Sequence, residues 1–155
     1  MEYTLYKPNK KGTGCAVKFN IHKSGKFSFM KMARQNAPMG SSTMFGWDDE
    51  SAINVKLGTN DLGAMHAVLH GVVSDIKLFH QTDRDNKIIE IKDVPDRGGY
   101  SLSVSHKIGG GESNQMFLGI KYEEIAFLIR FVVNAIDSIL INNVWTGEDY
   151  DSRRD

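Results

Sequence analysis

Cysteine and long hydrophobic runs are the two features that this chain of 155 residues has least of. The one cysteine, Cys15, excludes an internal disulfide framework and any zinc module built from cysteine ligands, and it suits a reducing compartment. The longest apolar region, residues 125–141, is interrupted by Arg130, Asn134 and Asp137, and the first residues carry no apolar run of the signal-peptide type. We therefore expect a cytoplasmic protein without a membrane partner, of a length that favours one domain.

The chain also has no net charge, because 19 basic side chains balance 19 acidic ones. The distribution along the chain is uneven, however. Residues 1–34 contain eight Lys or Arg and one acid, Glu2, which gives a local charge of +7. The rest of the chain carries 11 basic and 18 acidic side chains, which gives −7. Such an asymmetry indicates a polyanionic partner, for example a nucleic acid.

Runs of β-branched and aromatic residues bounded by turn residues predict eight strands. These strands lie at residues 4–8, 15–22, 26–34, 51–58, 75–81, 87–94, 100–108 and 114–120. A short helix is predicted at residues 62–73 and a long one at residues 122–140. The order predicts an α+β fold of two antiparallel four-stranded sheets, each followed by a helix. Residues 1–145 form the predicted domain, and residues 146–155 form an acidic tail that we expect to be flexible.

The long helix is apolar nearly all round, so it must be buried on several sides. The sheets can cover one side of it and a partner subunit another. The residues predicted for a subunit interface are Ile125, Leu128, Ile129, Val132, Ile136 and Ile139.

The stretch GCAVKFNIHKSGKFSFMKMAR, residues 14–34, is the most informative one. Two β runs separated by Ser24-Gly25 predict a hairpin with a two-residue turn, in which residues pair when their numbers add up to 49. Paired side chains share a face of the sheet. One face then carries the apolar pairs Val17/Met32, Phe19/Met30 and the half-apolar pair Ile21/Ser28. The opposite face carries the pairs Lys18/Lys31, Asn20/Phe29 and His22/Phe27.

This second face is costly unless it binds a partner, because Lys18 repels Lys31 across the strands and two Phe rings are left in water. Single-stranded nucleic acid would explain both features, since lysines neutralise phosphates and Phe rings stack on bases. Alternatively, a helix covers Phe27 and Phe29 while the two lysines extend to its rim. Lys56, on the solvent side of its strand, and the pair Lys77 and Phe79 repeat the basic and aromatic pattern.

Several segments resemble, in the same order along the chain, the Whirly / positive-cofactor-four family of single-stranded DNA-binding proteins. They are FGWDDESAINVKLG with LGAMHAVLHG, DIKLFHQ, KIIEIKDVPDRGGYSLSVSHKI and MFLGIKYEEIAFLIRFVVNAIDSIL. The resemblance covers roughly residues 3–145. The plant branch of the family has Lys-Gly-Lys-Ala-Ala in its first strand, where this chain has Lys10-Lys11-Gly12-Thr13-Gly14. This departure puts any higher-order assembly carried by that motif in doubt.

The resemblance implies two packed or crossing antiparallel sheets whose basic and aromatic surface holds single-stranded or unwound DNA. It implies a homo-oligomer, with a dimer expected, in which the C-terminal helices make the contact. It also implies a role in DNA replication, recombination, repair or transcription with little sequence preference. An RNA-binding module and a protein-interaction adaptor in transcription are the alternatives.

The sequence predicts no catalytic, metal or cofactor site. His66 and His70 lie four residues apart on one helix, but no third ligand is evident, and Trp47 is expected to have a structural role. We therefore expect a non-catalytic protein. The predicted nucleic-acid-binding residues are Lys18, Asn20, His22, Phe27, Phe29, Lys31, Lys56, Lys77 and Phe79.

Overall fold

Two four-stranded antiparallel sheets, each followed by a helix, make up the computed structural model, which describes residues 1–42 and 44–142. The first sheet and its helix consist of β1 (Glu2–Lys7), β2 (Cys15–Ile21), β3 (Ser28–Arg34), β4 (Ile53–Leu57) and α1 (Thr59–Leu69). The second sheet and its helix consist of β5 (Asp75–Gln81), β6 (Asp85–Val94), β7 (Gly99–Ile108), β8 (Ser113–Lys121) and α2 (Tyr122–Asn142). Both sheets follow chain order, and the predicted α+β fold is confirmed. The predicted tail lies outside the described residues.

The hairpin between β2 and β3 has the predicted register, because Lys18 pairs with Lys31 and Asn20 with Phe29. The turn is wider than the two residues predicted: ladder pairing ends at Ile21 and Ser28, and the His22 N–H donates to the Phe27 carbonyl at 3.0 Å. The extra residues are divided equally between the two sides of the turn. The assignment of side chains to faces is therefore unchanged, whereas a slip of one residue would have exchanged the faces.

The hairpin turn is fixed by contact with the last turns of α2. Gly25 has φ of 73°, a conformation that glycine adopts without steric cost. A Cβ atom at this position would collide with the side chains of Ser138 and Asn142. The Ser138 hydroxyl donates to the Gly25 carbonyl at 3.0 Å. The backbone conformation thus favours glycine, a larger residue would displace side chains of α2, and the turn is anchored on that helix.

The core lies between the inner faces of the two sheets and the helices. Val17, Phe19, Met30 and Met32 from the first sheet are buried, as the hairpin register predicts. The ring of Phe131 on α2 packs against Phe19, with a centroid distance of 5.6 Å. The second sheet contributes Ile89, Ile91, Leu102, Val104, Met116 and Leu118 to the same core. Each sheet is therefore covered on its inner side, and each leaves an outer face to solvent or to a partner.

Candidate nucleic-acid interface

The outer face of the first sheet brings together all seven residues predicted on that sheet and its hairpin turn. Strand register places Phe29 between Asn20 and Lys56, and Lys31 between Lys18 and Asn54. His22 and Phe27 face each other where the hairpin turns. We call this set the hairpin face; its members are Lys18, Asn20, His22, Phe27, Phe29, Lys31 and Lys56.

Three aromatic rings form a contiguous cluster on the hairpin face. His22 stacks on Phe27 with a centroid distance of 4.3 Å, and Phe27 meets Phe29 edge to face at 5.3 Å. The Lys56 ammonium lies 4.1 Å from the centre of the Phe27 ring. Both Phe rings are half-buried, and α2 packs on the opposite, inner face of the sheet through Phe131. The cluster therefore combines stacking surfaces with a cation held directly over one of them.

Hydrogen bonds from the turn decide which nitrogen of His22 carries the proton. The backbone N–H of Ser24 donates to His22 Nδ1 at 3.1 Å, and the Ser24 hydroxyl lies 2.9 Å from the same nitrogen. A backbone N–H can donate and cannot accept, so Nδ1 is the acceptor and the neutral ring carries its proton on Nε2. The neutral His22 ring therefore has its hydrogen-bond donor at Nε2.

The loop between β3 and β4 closes one end of the hairpin face. Tyr6 and Phe45 lie over this end with a centroid distance of 5.7 Å, and Ala16 and Ala33 beneath it are buried. The Trp47 ring lies 4.6 Å from the Lys18 ammonium. Trp47 therefore stands at the border of the site, a position that the sequence did not predict because the path of an irregular loop leaves no periodic signal.

The same loop provides an anion to one of the two facing lysines. The Lys31 ammonium lies 3.2 Å from Asp49 Oδ1, and the Asp49 side chain is 94% exposed. An ion pair with such an exposed partner is weak, at about 0–1 kcal/mol. Lys31 is thus available to a ligand that offers a better anion.

A cleft beside Lys56 connects the hairpin face with the second sheet. The Lys87 ammonium donates to the Asn54 carbonyl of the edge strand β4 at 2.6 Å. The cleft has a volume of about 230 Å³, and Lys56, His80, Gln81 and Lys87 are among the residues that line it. The sequence did not predict Lys87, because its position in β6 is in phase with the core residues Ile89 and Ile91, which assigns it to the inner face of the sheet. At the end of the strand, beyond the core, its long side chain extends to β4.

Lys77 and Phe79 lie apart from the hairpin face, on the outer face of the second sheet. Lys77 pairs across the strands with Glu90, and its ammonium lies 3.7 Å from that carboxylate. Lys92 approaches the same carboxylate at 2.8 Å. The hydrogen bond from Lys92, together with the two positive charges, holds the pKa of Glu90 below its ordinary value. Phe79 is 59% exposed, so these two predicted residues belong to a separate and electrostatically different surface.

The long helix α2 carries two apolar surfaces. Four of the residues predicted for a subunit interface, Ile125, Leu128, Val132 and Ile139, are buried in the core of their own chain. The other two, Ile129 and Ile136, are half-buried. They lie on a second stripe with alternating spacings of four and three residues, which we call the outer stripe. Its members are Tyr122, Ala126, Ile129, Val133, Ile136 and Leu140. The sequence did not separate the two surfaces, because a helix that is apolar nearly all round does not reveal which side the core occupies.

The two helix histidines do not form a metal site in the described structure. The rings of His66 and His70 stack with a centroid distance of 3.9 Å. Within residues 1–42 and 44–142, no group of three or more His, Cys, Asp or Glu side chains is arranged to hold a metal ion. Among the same residues, no helix has the length and apolarity that a membrane crossing requires.

The sequence matches no protein-family model and no curated protein. Solved structures do match the fold. WHY3 from Arabidopsis thaliana aligns over 99% of this chain and 92% of its own, with a TM-score of 0.69 and 15% identity. MRP1/MRP2 of Trypanosoma brucei aligns over 87% of this chain and 83% of its own, with a TM-score of 0.69 and 14% identity. A guide-RNA-binding protein complex bound to a gRNA aligns over 88% of this chain and 89% of its own, with a TM-score of 0.66 and 15% identity. The chain thus has the fold of the Whirly proteins, as its sequence resemblance predicted.

Proposed function

We propose that this protein is a non-catalytic single-stranded DNA-binding protein that holds its ligand on the hairpin face, with little sequence preference. We propose that it acts in DNA replication, recombination or transcription, and that it is located in the cytoplasm. The observation that carries the proposal is the cluster of His22, Phe27 and Phe29 with the Lys56 ammonium over it. Stacking a base on an aromatic side chain contributes about 1–3 kcal/mol and works for every base.

The facing lysines support the same proposal. Lys18 and Lys31 are direct cross-strand partners, and like charges in such a pair destabilise a sheet. A phosphate between the two ammonium groups turns this repulsion into attraction and releases condensed counterions. The face thus offers cations for the backbone of a single strand and rings for its bases.

Binding of oligo-dT at several salt concentrations tests the proposal. We expect Lys18→Glu with Lys31→Glu to weaken binding at least about 100-fold, because the variant loses two phosphate contacts and gains two repulsive ones. The matched control reverses two lysines on the outer face of the second sheet, Lys92 and Lys107, and circular dichroism checks the fold of each variant. An equal loss in the control would assign the binding to overall charge and would contradict the proposed face.

RNA is the second candidate ligand, because one of the structural neighbours is described as a complex bound to a gRNA. Stacking and phosphate contacts serve either nucleic acid. Competition between DNA and RNA oligomers of matched sequence decides between them. Binding that is indifferent to the Lys18 and Lys31 substitutions would favour instead a protein-interaction adaptor in transcription.

The proposed assembly is a homodimer in which the outer stripe of α2 meets a second copy of the chain. The stripe keeps the alternating spacing of four and three residues over most of the helix, which is typical of helices that pack on another helix. Val133 is half-buried and Leu140 is 68% exposed, so both have surface available to a partner.

We expect Val133→Lys with Leu140→Lys to reduce the mass in solution to that of the 17.4 kDa chain. A charge buried in an apolar contact opposes association. Ile141→Lys is the control, because Ile141 is 70% exposed but lies outside the stripe. A mass that the double substitution leaves unchanged would place the subunit contact elsewhere.

A further inference from the structure

Gly119 is a glycine that neither the backbone nor the packing of this chain requires. It lies in β8 opposite Ser101, in an unbroken ladder, and its φ is not positive. A Cβ atom built on it would meet nothing within 4 Å. A glycine inside a strand costs about 0.5–1 kcal/mol relative to alanine. Glycine at such a position otherwise marks the close approach of a ligand or of another backbone.

A pocket of about 290 Å³ lies over Gly119 on the outer face of the second sheet. We call it the Gly119 pocket. Gly99, Ser101 and Gly119 are among the residues of its floor, and Phe117 is among those of its wall. Its volume is at the lower end of the range of about 300–1,000 Å³ found for small-ligand sites. Phe117 is 50% exposed, so its ring offers an apolar surface beside a floor without side-chain bulk.

The charged residues of the Gly119 pocket, as far as the described chain lines it, are all cations: Lys7, Arg97 and Lys121. The Lys7 ammonium is occupied by an ion pair with Glu124. Arg97 and Lys121 are exposed, and neither forms a salt bridge with a described residue. Arg97 and Lys121 thus stand at the border of an apolar recess, where the nearby carboxylate that interacts with Lys121, Glu124, is shared with Lys7. Such a recess suits a ligand that has a flat ring and an anion.

We propose that the Gly119 pocket binds one nucleotide of the bound strand, with the base over Gly119 and against Phe117 and the phosphate at Arg97 and Lys121. The inference rests on the proposed function and deepens it, because the second sheet then provides a subsite of its own. A larger side chain at position 119 would occupy the space of the base. A Cβ atom at position 119 meets nothing within 4 Å, and β-branched residues suit a strand, so we expect Gly119→Val to fill the pocket without unfolding the protein.

The experiment measures NMR amide shifts of the full chain with dTMP, thymidine or inorganic phosphate, and the affinity for oligo-dT. We expect dTMP to shift the amide signals of Phe117, Gly119 and Lys121 more than thymidine or phosphate does. Gly119→Val should remove these shifts and weaken oligo-dT binding about 5- to 150-fold, the effect of one stacked base. Gln115→Val, on the same face of β8 outside the pocket, is the matched control and should change neither measurement.

Several outcomes would overturn the inference while leaving the proposed function intact. One is oligo-dT binding that depends on Lys18 and Lys31 but is indifferent to Gly119→Val, with no dTMP shifts in the pocket. Equal shifts with inorganic phosphate would show an anion site that does not recognise a base. A change of mass in Gly119→Val would show that a second copy of the chain covers the pocket. Loss of the Lys18 and Lys31 dependence, by contrast, contradicts the proposed function itself.

Discussion

The outer faces of the two sheets are built alike and charged differently. On the first sheet, the cross-strand partner of Lys18 is Lys31. On the second sheet, the cross-strand partner of Lys77 is Glu90. The Glu90 carboxylate also forms an ion pair with Lys92 of its own strand. An opposite-charge pair stabilises a sheet, whereas a like-charge pair destabilises it. The first sheet thus keeps its cations available for a ligand at some cost in stability, and the second neutralises two of its own.

The same contrast applies to the aromatic residues. Phe27 and Phe29 touch each other and His22, beneath the Lys56 ammonium. Phe79 is exposed next to Ile88, its cross-strand partner. A cluster of rings with a cation provides a stacking surface with phosphate contacts. A single ring such as Phe79, beside lysines that are already ion-paired, provides a smaller stacking surface and fewer phosphate contacts. The difference explains why we propose the hairpin face as the main site and restrict the second sheet to one pocket.

After the reversal of Lys18 and Lys31, the largest effect that would break this comparison is expected from Phe27→Leu with Phe29→Leu. Leucine keeps the apolar character of both positions but removes the flat rings. Loss of two stacked bases at about 1–3 kcal/mol each weakens oligo-dT binding about 30-fold or more. Titration by fluorescence anisotropy measures the loss, and a melting curve checks that the fold persists. Phe79→Leu is the control, and we expect it to leave the affinity unchanged. An equal loss of affinity in Phe79→Leu would mean that the outer face of the second sheet binds the strand as strongly as the hairpin face.

A smaller effect is expected from Glu90→Gln, which should make the second face resemble the first. Removal of the carboxylate releases Lys77 and Lys92. Each lysine that then meets a phosphate steepens the slope of log K against log salt concentration by about 0.7 for a single strand. Oligo-dT titrations between low and moderate salt measure the slope. An unchanged slope would mean that the lysines of this face do not reach the bound strand.

The pKa of Glu90 gives the pH dependence of the same contrast. Because this pKa is lowered from an ordinary value of 4.5, the ionised carboxylate contributes stability that is fully present above pH 4.5. That contribution is lost as the pH falls through the lowered value. In Glu90→Gln, melting curves should therefore show less destabilisation by acid than in the unchanged protein.

The smallest effect is expected from Asp49→Asn on the hairpin face. The substitution frees the Lys31 ammonium from its loop partner. Because an exposed ion pair contributes about 0–1 kcal/mol, oligo-dT should bind up to about fivefold more tightly. Glu50→Gln, which removes a neighbouring exposed charge of the same loop, is the control. Weaker binding of Asp49→Asn would indicate that the loop holds Lys31 in place for the ligand.

Local patterns along the chain were sufficient to predict the element order and most of the hairpin face. Alternation with period two gave the strands, and the Ser24-Gly25 turn gave a register that survived a change in turn width. Helix α1 begins at Thr59, three residues before the predicted start, because Asp61 accepts the Gly58 N–H from inside its first turn. These features depend on neighbours in sequence or on one hairpin, so a sequence pattern is enough to reveal them.

Contacts between distant segments decided the rest. The basic and aromatic pattern at Lys77 and Phe79 looks like that of the hairpin, but the fold places it on another sheet, next to Glu90. Trp47 reaches Lys18 through an irregular loop, and Lys87 reaches β4 from the end of β6. No residue spacing along the sequence predicts these contacts between distant segments.

By itself, the sequence determined which side chains share a face, because backbone geometry fixes the alternation of a strand and the pairing of a hairpin. The tertiary structure alone decided which of those faces stays open and what stands beside it. It showed that α2 uses one apolar side for its own core and leaves the outer stripe half-buried to exposed. It also showed that the space above Gly119, where a side chain would lie, is empty. The physical reason is that burial and electrostatic environment depend on residues that are remote in the chain and meet through folding.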